Sequence, residues 1–419
     1  MITKVTLHNW KSFKEASLYI DPLTVLIGLN ASGKSNLVDA LRFLQRSVSM
    51  PLTTAITGTG GDMQISEIRG GLDWAVLNRE NQFSIEITLL LSKDFKINYE
   101  LSVGIGKLNG HSKKAVLLNE KAALKQTLNG QNIEGYLFQT KPIIDNEREF
   151  VKVEINRVIG EDFIIDLNRN SSVLNQIQNS IMPTYDASIR DFLIERFRNI
   201  FIFDTVPSHM RAYCSLSDTF LSDGSNAAGV IAALPEAEKT RIETLLTNYV
   251  GQLPDNPFKK IYVELVGKFG QDAMLYGTEV LPGGEEIDID ARSMSDGTLR
   301  AIALLTAILT REKGSLLVIE EVDNGLHPSK AGLLLNFMLE LGKQQGVDIL
   351  ITTHNPALMD ALEKDLLPFI SVCYREEETG YSVIGLLEEF DKLPKYLAHG
   401  SLGKVISEGL INKVETPAE

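Results

Sequence analysis

Gly28-Leu29-Asn30-Ala31-Ser32-Gly33-Lys34-Ser35 places two glycines, a lysine and a hydroxyl at the spacing G-x-x-x-x-G-K-[ST]. That spacing suits a polyphosphate. Glycines let successive backbone N–H groups curl around an anion, Lys34 reaches the outer phosphates, and the Ser35 hydroxyl ligates Mg2+. Far along the chain, Leu316-Leu317-Val318-Ile319 is an apolar run that ends in Glu320 and Glu321. An acid at the end of a buried strand holds Mg2+ or the water around it, which assigns Glu320 to the metal. A second acid polarises the attacking water, which assigns Glu321 to catalysis.

The elements around these residues must hold them still. Leu23 to Ile27 reads as a short buried strand, and Asn36 to Val48 has the apolar spacing of a one-faced helix (Leu37, Leu41, Leu44, Val48). The glycine loop therefore joins strand to helix, and the helix turns its positive end to the anion. Before it, Ile2–Leu7 and Ala16–Ile20 are strand-like. Phe83–Leu91 and Lys96–Val103 predict a hairpin turning at Ser92 to Asp94, with further strands at Ala115–Leu118 and Phe150–Val158. Pro51–Gly71 reads as a surface loop with a short helix, and the Asn- and Ser-rich stretch Asn168–Gln178 as a mobile loop. Helices are expected at Ser188–Arg198 and Pro235–Tyr249, and strands at Ile200–Phe203, Lys260–Val266 and Met274–Val280. Then Ser295–Glu312 (helix), Ser315–Ile319 (strand), Ser329–Gly342 (helix) and Asp348–Thr352 (strand) alternate, which argues for an α/β layered core with parallel strands. No internal repeat or sustained heptad occurs.

Bulk properties narrow the class. The 419 residues are 44% hydrophobic and 23% charged, those of an ordinary globular chain. No apolar run is long enough to span a bilayer, and the N-terminus does not have the pattern of a signal peptide, so a cytoplasmic protein without a membrane partner is expected. Cys214 and Cys373 have no metal-ligand spacing and read as reduced structural thiols. The net charge of −14 speaks against a surface devoted to nucleic acid, though a local basic stripe of Lys107, Lys113, Lys114, Lys121 and Lys125 is conceivable.

With these residues in view, the chain resembles the ABC-type ATPases of the RecF, SMC and OLD-like branch. Leu7-His8-Asn9-Trp10-Lys11-Ser12-Phe13 looks like the branch's N-terminal "NFKSF" strand and turn, and Asn30 and Asn36 match its "GxNxSGKSN" loop. Arg292-Ser293-Met294-Ser295-Asp296-Gly297-Thr298 looks like the ABC signature through Ser295 and Gly297. Glu320 to Pro328 is similar to the "EEPExxLHP" segment, Thr352-Thr353-His354-Asn355-Pro356 to the "TTHSP" switch, and, more weakly, Asp223 to Asn226 to "DGSNL". The resemblance implies a P-loop ABC-type head of mixed and parallel sheets flanked by helices, with ATP and Mg2+ as ligands. It implies that Asn30, Gly33, Lys34, Ser35 and Asn36 hold the nucleotide and that Ser295 and Gly297 cap the γ-phosphate held by a second copy. His354 would contact that phosphate, and Gln64 would sense nucleotide and metal. Three positions depart from the pattern: Glu320 replaces an aspartate, Asp296 replaces a glycine, and His327 replaces an aspartate.

The expected organisation is an N-terminal part of the head at 1–92, an α+β lobe at 93–284 in place of a coiled coil, and a C-terminal part at 285–419. The resemblance implies an ATP-dependent homodimer or higher homo-oligomer. Its output is either control of a partner effector in phage defence or DNA-engaging work in repair and genome maintenance. The 65 residues after His354 are too few for the nuclease domain that OLD proteins carry there.

Overall fold

Side-chain alternation over Ile2–Trp10 and Phe13–Tyr19 produces β1 and β2, an antiparallel hairpin in register from Lys4↔Tyr19 to Trp10↔Phe13. The computed structural model describes residues 1–59, 65–78, 80–107, 113–128, 131–142, 149–156, 162–178, 184–254, 258–323, 328–361, 364–390, 398 and 400–408. After the hairpin, β3 (Leu23–Ile27) leads through the glycine loop into α1 (Lys34–Ser47). Short helices α2 (Leu52–Thr57) and α3 (Gly71–Trp74) follow. Then comes a run of strands: β4 (Gln82–Ser92), β5 (Phe95–Lys107), β6 (Lys113–Leu128), β7 (Gln131–Thr140), β8 (Phe150–Ile155) and β9 (Phe163–Asn168). Among the described residues, this run and the N-terminal hairpin make one eight-stranded antiparallel sheet, β2-β1-β4-β5-β6-β7-β8-β9. Strands β4 and β5, on either side of residue 92, are direct hydrogen-bonded neighbours.

Helices α4 (Val173–Ile177) and α5 (Thr184–Arg198) return the chain to β10 (Ile200–Phe203). Next, β11 (Cys214–Ser215), α6 (Ala227–Ala233), α7 (Glu236–Gly251), β12 (Phe258–Val266), β13 (Asp272–Val280) and β14 (Glu286–Asp290) build a small antiparallel sheet with its helices. The remaining strands and α-helices are α8 (Asp296–Thr310), β15 (Leu316–Ile319), α9 (Pro328–Gln345), β16 (Asp348–Thr353), α10 (Pro356–Ala361), β17 (Ile370–Arg375), β18 (Ser382–Leu386) and, outside the sheet, α11 (Leu402–Ser407). They complete a six-stranded sheet, β10-β15-β16-β3-β17-β18, parallel throughout except for the antiparallel β17–β18 pair.

This parallel sheet is buried on both faces, which explains its continuous apolar runs. Val25, Ile27, Leu317, Ile319, Ile349 and Ile351 face one hydrophobic core. Leu26, Leu316, Val318 and Leu350, the alternate residues, face the other. Strands that share a direction also share a carboxyl edge, and that edge of an α/β sheet is where ligands bind. It carries Gly28 after β3, Glu320 after β15, His354 after β16 and Arg375 at the end of β17.

One sequence expectation is overturned. Asn168–Gln178 is no mobile loop: it holds α4, whose Val173, Leu174 and Ile177 are buried. Polar composition misleads here because its side chains act as caps. Ser172 Oγ accepts from Asn175 N–H at 3.0 Å, and the buried Glu120 carboxylate accepts from Leu174 N–H at 3.2 Å. No described helix is long and apolar enough to cross a membrane.

Candidate nucleotide site

The glycine loop is locked from beneath. Gly33 has φ +124°, and a Cβ there would lie 2.5 Å from Ser382 Oγ, so both conformation and space demand glycine. Ser382 Oγ donates to the Ser32 carbonyl at 2.5 Å, and Ser382 N–H donates to the Ser12 carbonyl at 2.8 Å. The loop thus rests on β18 and on the N-terminal hairpin. The Asn36 side chain takes part in this support, donating to Ser12 Oγ at 2.7 Å, while its carbonyl accepts from the Trp10 indole at 2.7 Å. Arg375 fixes the outer wall, donating to the Ala31 carbonyl at 2.8 Å.

Above the loop is a cavity of about 300 Å³ lined by Asn30, Gly33, Lys34 and Ser35 together with Glu321 and Thr352. Lys34 is buried, and its ammonium donates to the loop's own carbonyls, Gly28 at 2.7 Å and Leu29 at 2.9 Å. Burial pushes this lysine below its ordinary pKa, with Cys373 and Glu321 acting in the opposite direction. Ser32 Oγ is buried without a hydrogen-bond partner among the described residues. The first turn of α1 has no side-chain cap. An uncapped helix end, an orphaned hydroxyl and a lysine satisfied only by its own loop are the donors an anion would take up.

Glu321 projects into this cavity from a left-handed backbone, φ +50°. For a non-glycine residue that conformation costs about 1–2 kcal/mol. Two hydrogen bonds hold it: Glu321 N–H donates to Thr352 Oγ1 at 3.1 Å, and Arg300 donates to the Glu321 carbonyl at 2.8 Å. His354 Nδ1 stands 3.6 Å from Glu321 Oε1, and that buried nitrogen has no hydrogen-bond partner among the described residues. The fold therefore brings Lys34, Ser35, Glu321 and His354 to one edge.

Glu320 behaves differently from its neighbour. Its carboxylate accepts from Arg69 at 3.2 Å and lies 3.8 Å from Arg42 Nη2, while Arg69 also donates to the Ser35 carbonyl at 3.3 Å. A guanidinium thus bridges Ser35 and Glu320, the two residues assigned to a metal, so a cation suits this position. A bound Mg2+ would be held by Ser35 and Glu320 and would neutralise charge on the phosphates. Gln64, and His327 of the third departure, lie outside the described residues.

The signature segment sits elsewhere on the chain. Ser295 caps α8, accepting from Thr298 N–H at 3.1 Å, with Gly297 in the first turn. Neither residue lines the 300 Å³ cavity. The negative charge that Asp296 adds to this segment is paired by Arg211, which donates to Asp296 Oδ1 at 2.5 Å. The same guanidinium donates to the carbonyls of Ala291, Arg292 and Met294 at 3.1, 2.9 and 2.8 Å, tying down the segment's backbone. Sequence reasoning missed Arg69, Arg211, Arg300 and Arg375. Only Arg69 left a signal, a lone cation before the pair Gly70-Gly71, both with positive φ. The proposed lysine stripe is partly neutralised: Lys113 pairs with Asp73, and Lys125 with Glu134 at 2.8 Å.

Comparison with known proteins agrees with this geometry. A family model described as "AAA ATPase domain" matches residues 1–200. Another, described as "AAA domain, putative AbiEii toxin, Type IV TA system", matches residues 248–360. No curated protein matches the sequence. Among solved structures, the SMC head bound to the C-winged helix domain of ScpA is similar with a TM-score of 0.52 at 13% identity, covering 92% of this chain and 98% of that one. The SMC head domain from Thermotoga maritima aligns over the same shares of the two chains at 15% identity, with a TM-score of 0.41. The first family match contains the phosphate loop and the second the acidic strand end, so both halves of the site fall in segments similar to AAA ATPase domains, on a fold shared with an SMC head.

Proposed function

We propose that the chain binds Mg-ATP on its glycine loop, closes head to tail with a second copy across two ATP molecules, and hydrolyses them with Glu321 as the water-activating carboxylate. The observation that carries this reading is the one-sidedness of the site. Lys34, Ser35, Glu321 and Thr352 share a cavity, whereas Ser295 and Gly297 cap a helix outside it. A helix N-terminus bearing a serine is an anion site in its own right, and a second copy would supply it to the exposed side of the nucleotide. Room for the rest of the nucleotide lies next door. A cavity of about 780 Å³ shares Asn36 and Arg375 with the phosphate cavity and offers Trp74 and Tyr381 as aromatic surfaces.

ATP in this arrangement works as a switch. Contacts to the γ-phosphate from Ser295 of one copy and His354 of the other favour the closed dimer, and their loss on hydrolysis releases it. We assign the output to control of a partner effector in defence against foreign DNA. Three observations favour this over direct work on DNA: the acidic chain, the pairing of Lys113 and Lys125 of the stripe with carboxylates, and a matched family whose description includes a toxin–antitoxin system. The related SMC head binds a protein partner, which supports the same choice. The test is sedimentation of the Glu321→Gln chain with and without Mg-ATP. A dimer only with nucleotide is expected; a monomer under both conditions would remove the head-to-tail mechanism.

A further inference from the structure

A third cavity, of about 460 Å³, shares no lining residue with the two nucleotide cavities. Three arginines line it: Arg42 and Arg46, one turn apart on α1, and Arg198 at the end of α5. Their charges are poorly matched. Arg42 meets Glu320 only at 3.8 Å, and its Nε is buried with no hydrogen-bond partner. Arg46 donates to the carbonyls of Ser66 at 2.8 Å and Ala55 at 3.3 Å, and Arg198 to Gln178 Oε1 at 2.5 Å and Ser49 Oγ at 3.4 Å. Neither has a carboxylate within ion-pair distance among the described residues. Burial and the neighbouring Arg42 lower the Arg46 pKa to about 10, with Asp39 acting in the opposite direction.

Three guanidiniums on one cavity with a single carboxylate at the edge of ion-pair distance are a receptor for an oxyanion, and the guanidinium fork matches a phosphoryl group. Phe201, Ile202, Met50 and Ile65 give the cavity an apolar part, and Gln45, Ser49, Ser66 and Ser222 add polar groups. Arg311 covers Phe201 at 4.3 Å from the ring centroid, so the aromatic edge of the cavity is itself fixed. A volume in the usual range for small-molecule sites, cationic at one part and apolar at another, fits a small phosphorylated molecule of about mononucleotide size.

We propose that this cavity is a second anion site, distinct from the P-loop, that binds a small phosphorylated ligand through Arg42, Arg46 and Arg198. Because Arg42 also faces Glu320, ligand bound here acts on the same carboxylate that Arg69 bridges to Ser35. The proposal does not depend on the dimer mechanism.

The test uses the full chain carrying Lys34→Ala, which disables the P-loop, titrated calorimetrically with pyrophosphate and with AMP. Saturable binding of one equivalent of either probe is expected, weakened about tenfold or more by adding Arg198→Ala or Arg46→Ala. Arg46 supports backbone carbonyls, so if its variant fails to fold, Arg198→Ala decides alone. Absence of saturable binding by both probes, or equal binding with and without Arg198, overturns the proposal. A short DNA duplex is the third probe. If it alone binds and loses affinity with Arg198→Ala, the cavity is a nucleic-acid contact and the small-ligand assignment falls.

Discussion

Lys34 and Glu321 share one cavity, and the proposed mechanism gives them different steps that single substitutions separate. Lys34→Ala removes the cation that would leave its loop carbonyls for the phosphates. Binding of a fluorescent ATP analogue should weaken about a hundredfold, with thermal stability nearly unchanged because a desolvated ammonium is lost too. Glu321→Gln keeps the shape of the site and its left-handed backbone but removes the base. Phosphate release should fall by about 10²–10⁴-fold while analogue binding stays within a factor of about three. Equal turnover in wild type and Glu321→Gln would assign water activation to another group. Glu320 is governed by Arg69, whose guanidinium bridges it to Ser35. No motif announces that bridge, because the two residues are brought together only by the fold.

At the scale of elements, the start of β16 stores a pH-dependent stability. Asp348 is buried at the edge of the parallel sheet, and burial raises its carboxyl to about 7, with Asp21 adding to the rise and the N-terminal amine and Arg196 opposing it. The folded chain therefore retains a proton that the unfolded chain releases near the usual aspartate value. Its contribution is whole below about pH 4 and is lost as pH rises to about 7. Asp348→Asn should raise the melting temperature at pH 7.5 by about 2–4 °C and flatten its decline between pH 5 and 7.5. An unchanged slope in a scanning calorimeter would show that the carboxyl is not the source.

The same elements show what was legible beforehand. β3, α1, α8, β15 and β16 were readable because buried parallel strands and one-faced helices leave long apolar signatures. Strands β7, β9, β11, β14, β17 and β18 were not read. Their burial is partial, as with Ile133 and Ile164, exposed on β7 and β9, or a neighbour is distant in sequence, as with β17, which pairs Ile370 with Val25 of β3. The site divided along the same line. Motif residues were found, and the arginines that hold them were not, since Arg211 and Arg300 reach their targets across 85 and 21 residues.

At the scale of the whole molecule, the head-to-tail reading makes a demand that no single-chain mechanism makes. If each ATP site joins the glycine loop of one copy to α8 of the other, two differently disabled chains can repair one another. Lys34→Ala destroys the loop and leaves Ser295 intact. Ser295→Arg destroys the capping end of α8 and leaves Lys34 intact. Each alone should be nearly inactive. Mixed in equal amounts, half of the dimers are hybrids, and each hybrid holds one sound site made from the good loop of one copy and the good helix of the other. Steady-state ATPase activity should therefore recover to roughly a quarter of the wild-type rate, provided the two sites turn over independently. Mixing the Lys34→Ala chain with the Lys34→Ala/Ser295→Arg double variant should restore nothing, because no sound loop is present. Should the first mixture stay as inactive as its components, while each component remains folded by circular dichroism, Ser295 and Lys34 would not belong to one intermolecular site.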